Sequence, residues 1–454
     1  MRDIHREQRR APVPVLAVLV TVMALVVASC SGGGRSSTSS PKSDSSSTKG
    51  AIVDASNCPG SETEGVNGTT IKLGTSLPQS GLYSAFSEIF KGESAYFDYL
   101  NEELGGVEVD GKKYTIDLLA KDDAYQADRT VTNATALVND DKVFGLFNVV
   151  GTKNNLAIRD FVNRSCVPNL FAATGSPAWG DKAYPWMLGS ELVPYPLEAK
   201  ALFDYLEKNS PTAKVAILRA SDDFGRAYSE TFRSLIKGSK ITVAKEETYN
   251  PEQSDTKSQV TSLAATNADV LLLGATLLAC PDALKNVQAS GWKPLTYMSG
   301  TCTSKTLMAL AGDAADGVFS VTNIMEPGLP AWADRPAMQL YREKIAKYAP
   351  DADAENGIVA YGWTTGALLA ETLSQSPSLT RQAVMETART LKVSEIGLLM
   401  PGVTLAVNAK DWFLGEMFTL AQYRSALGHF ELVGEILDFS GETAKLTPPD
   451  LIGG

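Results

Sequence analysis

Residues Val143–Val150 read VFGLFNVV, and Val270–Ala275 read VLLLGA. Laid out as strands, both stretches place apolar or hydrogen side chains on both faces, apart from Asn148 in the first. A strand in a half-exposed antiparallel sheet alternates apolar with polar residues, because one of its faces meets water; a strand apolar on both faces needs cover on both. These two stretches therefore argue for parallel sheets with helices on each side.

The surrounding sequence supplies those helices. Asn154–Arg164, NNLAIRDFVNR, follows the first stretch with helical spacing of its apolar residues, and Asp128–Asp140, DRTVTNATALVND, precedes it. Further upstream, Thr69–Leu77 (TTIKLGTSL) and Tyr114–Asp122 (YTIDLLAKD) read as strands, and Ser87–Leu104 carries Ile89, Phe90, Ala95, Tyr96, Tyr99 and Leu100 at helical spacing. Val167–Thr174, VPNLFAAT, is a further strand. The cycle restarts with Ala213–Ser221, helix Phe224–Lys237, strand Ile241–Tyr249, helix Thr256–Thr266, VLLLGA, helix Cys280–Ser290 and strand Leu295–Gly300. Near Asp316–Gly328 the chain leaves this second unit, and two long helical patterns, Ala333–Tyr348 and Glu355–Ser374, read as a return to the first. The expected fold class is α/β, with two doubly wound, Rossmann-like lobes: residues 69–190 plus 322–405, and 191–321 plus 406–454. No Ser/Gly linker separates them, so strand-like hinges must. Open α/β sheets bind ligands in the crevice outside the carboxyl ends of their strands, which directs attention to the cleft between the lobes.

The amino terminus carries Arg2, Arg6, Arg9 and Arg10, and then no charge from Ala11 to Ala28. That is the pattern of an export signal over residues 1–29 rather than of a spanning helix. Residues 30–57 begin with Cys30 and continue as a small, polar, Ser-rich tether, whose 20 residues from Ser31 to Gly50 give a reach of about 25 Å. With 41 basic and 52 acidic side chains the whole chain has a formal charge of −11, and removal of the leader makes it more negative, which argues against a nucleic-acid partner. His429 is the only histidine beyond the leader. A multi-histidine metal site is thereby excluded, and His429 reads as a half-buried residue of a late strand rather than a catalytic group. No Walker A or G-x-G-x-x-G pattern occurs in the folded part. No enzyme activity, cofactor or metal is expected.

The ordered segments Ser80–Phe86 (SGLYSAF), Lys121–Arg129 (KDDAYQADR), Gly151–Gly175, Tyr184–Gly189 (YPWMLG), Ser221–Glu230 (SDDFGRAYSE), Ala289–Trp292 (ASGW) and Tyr361–Leu373 (YGWTTGALLAETL) lie behind a lipobox-like VASC. Together they resemble the leucine/isoleucine/valine-type solute-binding lipoproteins of ABC importers, type I periplasmic-binding-protein folds, over about residues 69–439. The resemblance implies three crossovers between the lobes, a diacylglyceryl anchor on Cys30, attachment to the outer face of the cell membrane, an ABC permease as partner and a small-molecule ligand. A monomer is expected. The same fold also serves as the sensing domain of receptors, which is the alternative function.

Carried over residue by residue, the resemblance assigns Gly151, Thr152, Ala172 and Thr174 to the carboxylate and ammonium of an amino acid. Thr152 is also expected to cap the helix that follows, offering free N–H groups to an anion. Tyr83 and Phe86 would close over the ligand or else pack the lobes together, and Phe224, Ala275 and Thr276 would meet it from the second lobe. Asp222 and Asp223 read as helix caps. One position departs from the pattern: Thr301 stands where amino-acid binders place the acid that pairs with the ammonium, leaving Glu191 and Asp223 as candidate replacements. The expected ligand is a small carboxylate or amide-like solute with a hydrophobic portion, of which a branched-chain amino acid is one example. Of the three ways to pair four exported cysteines, topology favours Cys58 with Cys166, at the sheet edge remote from the cleft, and Cys280 with Cys302, after neighbouring strands.

Overall fold

The computed structural model describes residues 52–447 and 451; the leader, Cys30 and the tether up to residue 51 lie outside them. The first sheet holds seven strands: β1 (Val66–Asn67), β2 (Thr70–Leu77), β3 (Val107–Val109), β4 (Lys112–Asp122), β5 (Gly145–Phe147), β6 (Asn169–Ala172) and β7 (Met187–Gly189). Its order is β3-β4-β2-β5-β6-β7, with β1 paired antiparallel to β2 and the run from β4 to β7 parallel. The stretch VFGLFNVV is central in this sheet. Phe144 and Val150 N–H donate to β2 carbonyls, while Leu146 and Asn148 donate to Pro168 and Leu170 on the other side. All eight of its residues are buried. Helices α1 (Ser87–Glu102), α2 (Ala127–Asn139) and α3 (Thr152–Arg164) connect the strands.

The second sheet is also seven-stranded. It contains β8 (Lys214–Ala220), β9 (Thr242–Tyr249), β10 (Val270–Gly274), β11 (Leu295–Met298) and β12 (Phe319–Thr322), joined through α5 (Asp223–Leu235), α6 (Lys257–Ala264), α7 (Ala279–Ser290) and α8 (Lys305–Ala311), after α4 (Tyr195–Asn209). The chain then forms α9 (Pro336–Tyr348), α10 (Gly357–Gln375), α11 (Arg381–Ala388) and a small ribbon of β13 (Lys392–Ser394) and β14 (Thr404–Ala406). It returns as β15 (Met417–Arg424) and β16 (His429–Asp438), giving the order β16-β15-β12-β11-β10-β8-β9. The last two strands are antiparallel, so this sheet is mixed rather than wholly parallel. His429 opens β16 and is half-buried.

Helix α10 packs on α1, which returns the chain to the first sheet. The two helices touch at glycines: a Cβ at Gly92 would lie 2.1 Å from the Val359 carbonyl oxygen, and one at Gly362 would lie 2.1 Å from that of Ile89. The hairpin joining β3 to β4 turns at Asp110 and Gly111, both with positive φ (49° and 71°), as a type I′ turn demands. Most helices begin or end a few residues from the bounds read in the sequence; α9, for example, starts at Pro336 rather than Ala333 because Pro336 supplies its first turn.

Cys58 is bonded to Cys166 and Cys280 to Cys302. The first bridge ties the segment before β1 to the turn after α3. The second joins the start of α7 to the loop after β11, following adjacent parallel strands. Because the first closes 108 residues and the second 22, the chain-entropy account assigns them about 5 and about 3 kcal/mol. Denaturant unfolding of Cys58→Ser/Cys166→Ser and Cys280→Ser/Cys302→Ser double variants is expected to show the larger loss for the first.

Candidate functional site

At the carboxyl end of the first sheet, Asp122 and Asp123 hold the loops in place. The Asp122 carboxylate accepts from the backbone N–H of Gln79, Ser80 and Ala124 and from the Ser80 hydroxyl at 2.6 Å. Asp123, fully buried, accepts from Ser76 and Thr130 hydroxyls. This pair explains the KDDAY motif as a brace between the loops after β2 and β4, and it delivers Tyr125 to the cleft. Gly151 faces the Tyr125 ring so closely that a Cβ there would lie 2.6 Å from it, and its φ of 99° suits glycine.

Gly151, rather than Thr152, takes the cap position of α3; Thr152 is the first helical residue. Its hydroxyl is spent elsewhere, 2.7 Å from the Thr174 hydroxyl, and Thr174 is in turn 3.2 Å from the Tyr195 hydroxyl. All three side chains are buried. The Tyr195 ring stacks on Tyr228 and meets Phe224 edge-on, with centroids 5.0 Å away in each case. The hydroxyls that the resemblance assigns to an amino acid's charged groups thus bond to each other and, through Thr174, to the Tyr195 phenol. Ala172 is buried in β6, its carbonyl accepting from Thr174 and Ser190 N–H.

Tyr83 stacks on Tyr125 at 4.0 Å, and its hydroxyl donates to the Pro251 carbonyl across the cleft at 2.8 Å. Thr276 shares the same narrow crevice, its N–H donating to the Tyr249 hydroxyl, while Ala275 is fully buried. Asp222 caps α5 by accepting from Gly225 N–H, and Asp223 pairs with Arg226 at 3.0 Å. Of the ten expected contacts, Phe86 and Thr301 line the cavity between the sheets; the other eight are not part of its lining.

That cavity lies between the two sheets and spans about 910 Å³, including its open mouth. Phe86, Ile89, Val150 and Ala173 border it from the first sheet, Gly300, Thr301 and Val321 from the second, and Ile358 and Tyr361 from α10. Two carboxyls complete the wall: Glu198 from the first turn of α4 and Glu326 from the second crossover. Burial raises both, to about 8. Glu198 Oε2 accepts from Gly300 N–H at 2.9 Å. Glu198 thus brings a carboxyl to the loop that holds Thr301, whereas Glu191 is bonded to Thr365 and Asp223 to Arg226. Sequence reading missed Glu198, although an acidic residue in the first turn of a helix leaving the hinge was the available signal.

Glu191 sits where the chain passes between the sheets. Its Oε1 accepts from Thr365 at 2.6 Å, its backbone carbonyl accepts from Asn323 Nδ2 at 2.5 Å, and a Cβ on Gly415 would lie 2.3 Å from that same carbonyl. Among the described residues no His/Cys/Asp/Glu group could hold a metal ion, and no helix is long and apolar enough to cross a membrane.

Two α/β sheets linked by crossovers around a lined cavity define the class: a two-lobed solute-binding protein of type I topology. Residues 70–424 match the model of the periplasmic binding protein family, and the chain belongs to it. The family is one of solute-binding proteins, acting outside the cytoplasm. Among similar solved structures, a substrate-binding ABC transporter protein from Aeropyrum pernix is 16% identical, with a TM-score of 0.74 over 85% of this chain and all (100%) of that one. A branched chain amino acid ABC transporter protein from Thermus thermophilus, solved with bound valine, is 19% identical (TM-score 0.72; 83% and 98% covered). A fatty acid ABC transporter substrate-binding protein from Thermomonospora curvata is 19% identical (TM-score 0.70; 84% and 95%).

Burial raises the Glu191 carboxyl from the ordinary 4.5 to about 7. The folded protein therefore keeps a proton there that the unfolded chain gives up above about 4.5, so stability falls as pH rises from 4.5 to 7 and levels off beyond. Glu191→Gln keeps an acceptor for Thr365 and removes the titration. Denaturant unfolding at pH 5 and pH 8 is expected to show a flatter pH dependence and greater stability at pH 8 for the variant.

Proposed function

We propose that this chain is the extracytoplasmic binding component of an ABC importer, lipid-anchored at Cys30 on the outer face of the membrane, which works as a monomer and closes over one small solute with a largely apolar body. The observation carrying this reading is the cavity itself: enclosed between two lobes, walled mainly by apolar side chains, and bridged on one side by the Tyr83–Pro251 contact. The similar proteins from Aeropyrum, Thermus and Thermomonospora support the transporter assignment by their names, and the last two show that this fold takes solutes as different as valine and those of a fatty acid transporter. Cys30 and the tether lie outside the described residues, and the export pattern of residues 1–29 supports the anchor.

The sequence-based expectation of a carboxylate is narrowed by the walls. Thr152 is bonded to Thr174 and Thr174 to Tyr195, and no Lys, Arg or His is among the described residues that line the cavity, so an acid group would enter without a cationic partner. Burying an unpaired charge costs several kcal/mol.

Native mass spectrometry of protein isolated from its own host is expected to reveal one bound small molecule per chain, lost on unfolding. Protein that is always empty, beside a permease that transports without it, would overturn the assignment. For the anchor, Cys30→Ala is expected to abolish the lipidated form, and a chain beginning at Ala51 to be soluble and folded; membrane partitioning of that truncated chain would refute it.

A further inference from the structure

We infer that the cavity takes an organic amine with an apolar body and no carboxylate, its ammonium seated against Glu198; this rests on reading the cavity as the solute site. The cavity offers three features that recognise a cation, and no positively charged side chain lines it to pair with an anion. Glu198 is 2% exposed and aims its carboxyl at the Gly300–Thr301 loop. Glu326 borders the same space. Phe86, Tyr195 and Tyr361 add aromatic walls, whose π faces attract a desolvated cation. An anion would meet two acids and no base. A neutral solute would leave two ionisable groups in an apolar wall without use.

The groups facing Glu198 are the phenols of Tyr195, Tyr228 and Tyr297; Gly300 N–H and the Tyr228 hydroxyl donate to it, and no positive charge neutralises it. Glu326 has Lys305 in reach, itself paired with Glu355, and Tyr341, Tyr423, Arg342 and His429 nearby, with Arg342 donating to the Pro327 carbonyl. Glu198 is accordingly the carboxyl free to receive a ligand. Because burial holds it protonated at neutral pH, and an alkylamine arrives already charged, forming the pair sends the carboxyl proton to solvent: ammonium plus carboxylic acid gives the ion pair plus one proton. Binding should therefore tighten as pH rises from 6 to 8, until the amine itself loses its proton near 10.

The test is calorimetry of the full chain with 2-phenylethylamine, 3-phenylpropionate, 2-phenylethanol and leucine, in phosphate and in Tris at pH 7, since the heat difference between buffers counts protons. The amine is expected to bind tightest and release about one proton. Glu198→Gln keeps an acceptor for Gly300 N–H and is expected to weaken the amine at least about 100-fold while abolishing proton release. Tighter binding of the acid or of leucine, amine binding without proton release, or undiminished binding by the variant overturns the inference. Silence from the amine does the same; if the alcohol or an acid binds in that experiment, the binding-protein reading stands, whereas silence from every probe and no co-purified molecule removes both. Should the variant fail to fold, proton release by the unaltered protein still decides.

Discussion

The carbonyl of Glu191 is the point on which the rest of the molecule turns. There the chain leaves the first sheet for the second, Asn323 of the second crossover donates its amide to that carbonyl, and Gly415 of the third lies so close that no side chain would fit. Three passes of the backbone are thus held at one place. The Glu191 side chain is anchored to Thr365 in α10, and the buried carboxyl of Glu93 is pushed well above its ordinary range by burial and, to a smaller degree, by the charge of Glu191. A hinge with buried acids is costly to build, and that cost is the constraint that keeps this region polar in an otherwise apolar interior.

From this junction follows the shape of the cleft. The carboxyl ends of both sheets face it, and the loops there are stiffened from behind, by Asp122 and Asp123 on one side and by the Cys280–Cys302 bridge on the other. Tyr83 spans the gap to Pro251 with a single hydrogen bond, worth of the order of 1 kcal/mol.

Much of this was legible beforehand. Strands apolar on both faces, as in VFGLFNVV and VLLLGA, cannot be mistaken for half-exposed ones, and their helices follow from spacing. Antiparallel β15 and β16 were less visible, because strands such as HFELVGEILD lie at a sheet edge, where packing imposes no strict pattern. The site was legible as a set of loops but not as a set of contacts. Whether Thr152 and Thr174 face a ligand depends on Tyr195, which reaches them from beyond the hinge; whether an acid serves the Thr301 loop depends on Glu198, 102 residues away in sequence. Such long-range meetings leave no local signature in one sequence.

Tyr195 has a consequence for the conditions in which the protein works. Selectivity built on comparing affinities fails when a competitor is abundant enough, since mass action eventually fills the site. On the proposed reading, the phenol of Tyr195, bonded to Thr174 and packed against Tyr228 and Phe224, competes with an incoming amino acid for the Thr174 hydroxyl. Under the proposed function such a built-in competitor has a fixed local concentration, so every amino acid that enters the cleft has to displace it whatever the medium holds.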